Sequence, residues 1–354
     1  MLISTLLPLC FYAFLRWQPQ LDPTIGTAPF HFQIVSATSI LALIVALGIG
    51  VVGMRVRNMQ IIYESLAFIS LAGLFSLHGL ATPGFILEAN RVVGIAAQLA
   101  VLFTALWLNI ASAPNENRFN TWLLKQANWL PWAWVATIGL AGTAAFLNPE
   151  LVAWVPVDEA PLRLLVAGIT IWLSLVAGWR YYLAYRFARF PFQLALAMTS
   201  GWVAGSQLII TTGQTFALSW WTYHVLLLLA VAAAVLSLLV QYPQRDALVQ
   251  SARSMTSKNP GEQLKAAMTP SLRALVVATE ARDQHTGGHS ERVAYGAIAL
   301  GMRMNLSPED LRVLAQGSII HDVGKLQVPD QILNKPGPLT AEERREIEQH
   351  TLSG

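Results

Sequence analysis

Apolar residues fall along this chain in long blocks, and seven of those blocks are long enough, or nearly so, to cross a bilayer. They occupy residues 33–54, 61–81, 92–112, 129–147, 164–179, 191–212 and 220–240, against the ~20 residues that ~30 Å of hydrocarbon requires. An eighth block, 2–15, is shorter and contains Pro8. It reads as a helix, because no small-residue cleavage site follows it and Arg16-Trp17 resembles an interfacial stop. After Val240 the pattern changes to polar, and Asn259-Pro260-Gly261 divides that stretch with a turn signal. The pieces on either side, 246–257 and 262–268, read as short amphipathic helices.

From Thr269 onward the spacing is helical throughout. Leu272, Leu275, Val276 and Thr279 form one stripe, and Val293, Ala297, Leu300 and Met304 form the next, after a loop at 283–288. Ser307-Pro308-Glu309-Asp310 is a strong helix start, and Thr340 with Glu343 predicts a capping box. The expected fold class is all-α: a polytopic transmembrane bundle of seven or eight helices (1–241), a helical linker (242–269) and the first helices of a further domain (270–354).

Composition agrees with a bilayer setting, since 54% of the 354 residues are apolar and only 12% charged. The net charge of +3 is weak evidence for a nucleic-acid polymer as partner, because the basic residues sit in short loops. Arg55 and Arg57, Arg118 and Lys125, Arg180, Arg186 and Arg189, and then Arg245, Arg253 and Lys258 occupy alternate connections. That alternation places the C-terminal region in the cytoplasm. The single cysteine, Cys10, excludes a disulfide framework.

Within the blocks, Gly48, Gly50, Gly53, Gly201 and Gly205 are expected to mark helix contacts. Ser200, Ser206, Gln207, Thr211 and Thr212 are expected to bond across helices. Glu64 is expected to reach the inner interface. His31, His78 and His224 all fall at the outer membrane face and read as separate interfacial side chains that snorkel to water. A joint metal, haem or proton-sensing site is the competing reading.

Chemistry concentrates near the C-terminus, where His289, the pair His321-Asp322 and His350 come from successive predicted helices. A mixed imidazole and carboxylate set suits Fe, Mn, Zn or Ni, and helical bundles assemble such sites from inward-facing side chains. An Asp beside a His can bridge two ions, as hydrolytic two-metal sites require. Lys325, one turn beyond His321, would offer a point charge to a metal-bound phosphate.

The runs Thr286-Gly287-Gly288-His289-Ser290-Glu291-Arg292-Val293, His321-Asp322-Val323-Gly324-Lys325 and Leu333-Asn334-Lys335-Pro336-Gly337-Pro338-Leu339-Thr340 resemble the HD-GYP family. These are bacterial metal-dependent phosphodiesterases that open cyclic di-GMP. The resemblance covers roughly residues 272–354. It implies two or more divalent ions held by His289, His321, Asp322 and His350, with His285 as an additional candidate where members with a third metal carry Glu. It also implies catalytic roles for Asp322 and Lys325, and substrate contacts from Lys325 and Lys335. The expected setting is a bacterial inner membrane, with a cyclic dinucleotide as substrate, the lipid bilayer as surroundings and homodimerisation through the linker as a route of control. The family's further ligands and its Gly-Tyr-Pro loop are expected beyond residue 354, so the chain is read as a fragment of an active enzyme and as inactive by itself. Two other readings stay open: a different HD phosphohydrolase acting on nucleotides, and a non-catalytic membrane receptor with a degenerate HD module.

Overall fold

The computed structural model describes residues 2–88, 90–113, 118–154, 156–241, 260–268, 270–283 and 288–353. The structure there is helical, apart from two isolated bridges, Thr24 with Ala217 and Pro83 with Leu87. Contacts divide the chain into two compact units, one holding the long helices and the other holding the described residues from Pro260 on.

The first unit runs α1 (Leu2–Trp17), α2 (Ala28–Val56), α3 (Met59–Leu80), α4 (Val92–Ser112), α5 (Arg118–Leu123), α6 (Leu130–Leu147), α7 (Leu162–Ala188), α8 (Pro191–Thr212) and α9 (Leu218–Gln241). Seven of these, all but α1 and α5, are long and apolar enough to cross a membrane. Helix α7 outruns its apolar block by continuing through Arg180 and Arg186, because helical hydrogen bonding does not stop where hydrophobicity does. Local capping fixes the entries: the Thr27 side chain accepts from the Phe30 N–H at α2, and Asn58 accepts from Gln60 and Ile61 at α3.

Helix α3 is the centre of the bundle, packed on α2, α4 and α6, with nearly all its side chains buried. Helix α6 buries only Pro131 and Ile138, and leaves Leu140 and Leu147 exposed. Four of the five glycines do mark close approaches: a Cβ on Gly50 would meet Ser65, on Gly53 Ile61 and Ile62, on Gly201 Thr5, and on Gly205 Leu226 and Leu9. Gly48 has nothing nearby, so it lies off the contact face. Of the five polar residues expected to do so on α8, Ser206 (to the Tyr223 carbonyl) and Thr212 (with Tyr12) bond to another helix, and Thr199, not among them, donates to Ala230 O of α9. Ser200, Gln207 and Thr211 bond within α8, an option local geometry always offers short polar side chains.

Two expectations fail here. Glu64 does not reach the interface; it is buried and accepts from the Tyr181 hydroxyl at 3.3 Å. His31, His78 and His224 are not separate snorkelling side chains, but are buried together with their rings in edge contact. Three helices bring one end each to a common point, which a linear pattern does not reveal.

That meeting is held by the segment between α1 and α2. Asp22 accepts from both the N–H and the hydroxyl of Ser219 at 2.7 Å, capping the start of α9. The Ile25 N–H donates to Phe216 O, and the Leu218 N–H to Pro23 O. Asp22→Ala is expected to lower stability by about 0.5–2 kcal/mol, read as a lower melting temperature in detergent.

In the second unit, the helix Pro260–Ala267 buries Leu264 and Ala267 and packs on helices His289–Arg303 and Pro308–Ile320. The Gln316 side-chain amide donates to Ala267 O. This stretch is therefore part of a packed unit, although the sequence pattern assigns it to the linker; the other expected linker helix, 246–257, lies outside the described residues. Helix His289–Arg303 buries Ser290, Ala294, Ile298 and Gly301, one position on from the predicted stripe, and leaves Leu300 and Met304 largely exposed. Small residues win that face because Gly301 admits Leu311 and Leu314 at close range. The predicted starts are both present: Ser307 caps Pro308–Ile320, and Thr340 with Glu343 forms the full capping box.

Candidate metal centre

His321 closes helix Pro308–Ile320, and Asp322 begins a tight 3-10 turn over Val323–Gln327 that carries Lys325. His289 opens its own helix after Gly288, whose φ of 67° suits a residue without a Cβ. Glu280 accepts from the N–H groups of Gly288 and Ser290, so a carboxylate satisfies this helix start. His350 does not continue the capping-box helix; Ala341–Glu348 ends first and His350 opens a separate short turn.

These elements converge on Asp322. Its Oδ1 lies 3.4 Å from His321 Nε2 and 3.4 Å from His350 Nε2, while its Oδ2 accepts from Lys325 Nζ at 2.7 Å. The rings of His289 and His321 are 5.4 Å apart, and His289, His321 and Asp322 can present ligand atoms within 4.8 Å of one another. The fold brings all four expected metal ligands to one place. Gly324 allows this, since a Cβ there would overlap the His350 carbonyl.

The hydrogen bonds select tautomers. His321 Nδ1 faces the Ser318 carbonyl at 2.8 Å and His350 Nδ1 the Ile347 carbonyl at 2.5 Å. A carbonyl only accepts, so each Nδ1 carries the proton and each Nε2 presents a lone pair. Two lone pairs and an anionic oxygen then converge, which calls for a cation or for protonated imidazoles. The donor set thus fits a divalent transition metal, and the carbonyl contacts are the outer-sphere bonds that orient such ligands.

Burial alone would raise the Asp322 carboxyl, but the bond to Lys325, reinforced by the charges of Lys325, His321 and His350, holds it below its usual range. Burial likewise disfavours the Lys325 ammonium, and Asp322 with Asp283 outweighs it, keeping the group above its usual value. Asp283 is the residue sequence reasoning missed. It is buried and accepts from Lys325 at 3.1 Å, yet in sequence it is one more acid at the edge of a loop. Arg282 beside it donates to the carbonyls of Leu326 and Val328, fixing the turn that carries Lys325. Lys335 stands elsewhere, with Nζ against both carboxylate oxygens of Glu343 at 2.8 and 2.7 Å. His285 lies outside the described residues.

Residues 275–354 match the HD domain family. The cyclic di-GMP phosphodiesterase response regulator RpfG of Xanthomonas campestris is 32% identical over 111 residues, covering 31% of this chain and 29% of that protein. A 3'3'-cGAMP-specific phosphodiesterase 2 of Vibrio cholerae is 39% identical over 80 residues, 23% of this chain and 15% of its own length. A cyclic di-GMP phosphodiesterase of Thermotoga maritima is 37% identical over 83 residues, 23% of each chain. The chain spans less than a third of the length of these relatives. No solved structure matches it. Over residues 275–354 the chain is therefore similar to the HD domain family and to these cyclic dinucleotide phosphodiesterases.

Proposed function

We propose that the chain belongs to a membrane-bound, metal-dependent phosphodiesterase that hydrolyses cyclic di-GMP to pGpG or GMP, with the helical bundle as its input module. The observation that carries this reading is the Asp322 carboxylate, which faces two imidazoles through one oxygen and an ammonium through the other. His289, His321, Asp322 and His350 are the residues that would hold the metal, of the Fe, Mn, Zn or Ni class. When bound, such ions supply an activated water and polarise a phosphate oxygen. Lys325 adds a fixed positive charge beside them, held in place by Asp322 and Asp283, for the non-bridging oxygens of the phosphodiester. Lys335 has its charge matched by Glu343, so a substrate contact requires that pair to open.

Four donors suffice for one ion, and a bridged pair draws on more. The basic residues that follow or end α2, α4, α7 and α9 in the sequence favour a bacterial inner membrane with the HD domain in the cytoplasm. Control through residues 242–269, with a homodimer as the responding unit, belongs to the same proposal. Hydrolysis of 3'3'-cGAMP is the second reading, favoured by the identity to the Vibrio cholerae protein.

The test is chromatographic assay of both cyclic dinucleotides with the metal-loaded protein, in the reading frame that encodes this chain. Lys325→Met is expected to lower kcat/KM by about 10²–10³-fold with metal content unchanged. Unaltered turnover in that variant, or no hydrolysis of either dinucleotide by the parent, defeats the proposal.

A further inference from the structure

The buried histidines at one end of the bundle form a second polar cluster. His31 in the first turn of α2, His78 near the end of α3 and His224 in the second turn of α9 are 1%, 2% and 0% exposed. Their Nε2 atoms converge: His31 to His224 at 2.8 Å, and His31 to His78 at 3.0 Å. The Tyr223 hydroxyl stands 3.1 Å from His78 Nε2. Trp220 and Trp221 pack on the His31 and His224 rings, and Phe75 stacks on His78.

The outer nitrogens fix where the protons are. His78 Nδ1 lies 2.7 Å from the Val93 carbonyl, which only accepts, so Nδ1 carries the proton. Thr82 gives its hydroxyl hydrogen to the His78 carbonyl at 3.3 Å, and its oxygen, 2.8 Å from His31 Nδ1, is left to accept. The neutral His31 and His78 rings therefore turn bare lone pairs toward each other at 3.0 Å. Among the described residues His224 Nδ1 has no partner. If His224 is protonated on Nε2 it can donate to His31, and the Tyr223 hydroxyl can donate to His78 Nε2, but the buried His224 Nδ1 lone pair stays unsatisfied. If it is protonated on Nδ1, a buried N–H has no acceptor, and the three Nε2 atoms carry no proton of their own, with the Tyr223 hydroxyl left to donate to His78 Nε2. No placement of protons on three neutral rings satisfies the cluster, and an imidazolium would be a buried charge with no carboxylate among its partners.

We propose that His31, His78 and His224 form a binding site for one divalent transition-metal ion. Three neutral imidazoles without thiolate or carboxylate select Cu(II), Ni(II) or Zn(II) over Mg or Ca. Ligand nitrogens ~2.0–2.1 Å from a common ion and at right angles stand roughly 2.9 Å apart, the spacing seen in both pairs. Val93 O and Thr82 Oγ1 are the outer partners that orient two of the rings. Tyr223 is placed to supply a further oxygen donor. The site lies about 25 Å along α9 from Gln241, toward the other end of that helix.

The test uses the full chain in detergent with His321→Ala and Asp322→Ala removing the C-terminal site. Equilibrium dialysis against Cu2+, Ni2+ and Zn2+ is expected to leave one ion per chain, and Cu2+ is expected to show an EPR spectrum split by three nitrogens. His224→Ala should weaken binding by 100-fold or more, and the near-isosteric Thr82→Val by about 10–100-fold. No retained ion on a chain that keeps its size-exclusion profile overturns the proposal. So does an ion held equally well by Thr82→Val and His224→Ala, or a copper spectrum without nitrogen splitting. Should His224→Ala fail to fold, the Thr82→Val titration and the spectrum of the unsubstituted site still decide.

Discussion

Asp322→Asn is expected to empty the HD centre of metal and to lower phosphodiester turnover by at least about 10²–10³-fold. The substitution keeps the shape of the side chain, so the effect isolates charge. An amide cannot serve as the anionic ligand between His321 and His350, and its NH2 group would either donate to an Nε2 lone pair, tying up a ligand atom, or face the Lys325 ammonium. Elemental analysis and turnover should fall together, in contrast to Lys325→Met, which separates them. The pair also has a pH signature. Asp322 is held below its usual carboxylate range in the folded chain, so its contribution to stability is present above the ordinary carboxylate pKa and fades as the pH falls through the folded value. Lys325 is held above its usual value, so its share persists below the ordinary ammonium pKa and is lost as the pH rises through the folded one. Stability of the HD unit should thus drop at both extremes, and Asp322→Asn should flatten the acid limb of a denaturation series taken across pH.

Gly324→Ala is expected to cost about 1–3 kcal/mol by overpacking and to weaken metal binding through His350. The added methyl would occupy the space of the His350 carbonyl and press on Ser353 Oγ at 2.9 Å. Because that neighbour is backbone, it cannot rotate away; the turn His350–Ser353 must move, and its imidazole moves with it. Thermal unfolding of the metal-free protein reads the packing cost, and metal titration reads the displaced ligand. A variant with wild-type metal affinity would show that the segment carrying His350 shifts without disturbing the centre.

How much of this was legible in the linear chain depends on whether the cause was local. The spanning helices were, since length and apolarity are properties of a segment alone; α4 and α8 run over the residues the pattern picks out. The caps at Ser307 and Thr340 were legible for the same reason, each being a contact across three residues. Buried faces were less so: helix His289–Arg303 carries apolar residues on two faces, and only the fit of Gly301 against Leu311 and Leu314 chooses between them. Asp283 gave no signal, because its importance lies entirely in a partner 42 positions away.

The two histidine clusters show the division most clearly. His289, His321-Asp322 and His350 were recognisable as a metal set because adjacent ligands and motif spacing lie within one stretch of chain. The sequence by itself determined the all-helical class, the bilayer-length helices and which residues make up that candidate set. Tertiary structure alone decided that Asp322 is the point where they meet, that Glu64 is buried, and that His31, His78 and His224 share one pocket. Those last three come from helices far apart in sequence, and nothing local distinguishes a histidine that ends at water from one that ends against two others. Packing of α2, α3 and α9, tied off by Asp22 and Ser219, makes that distinction.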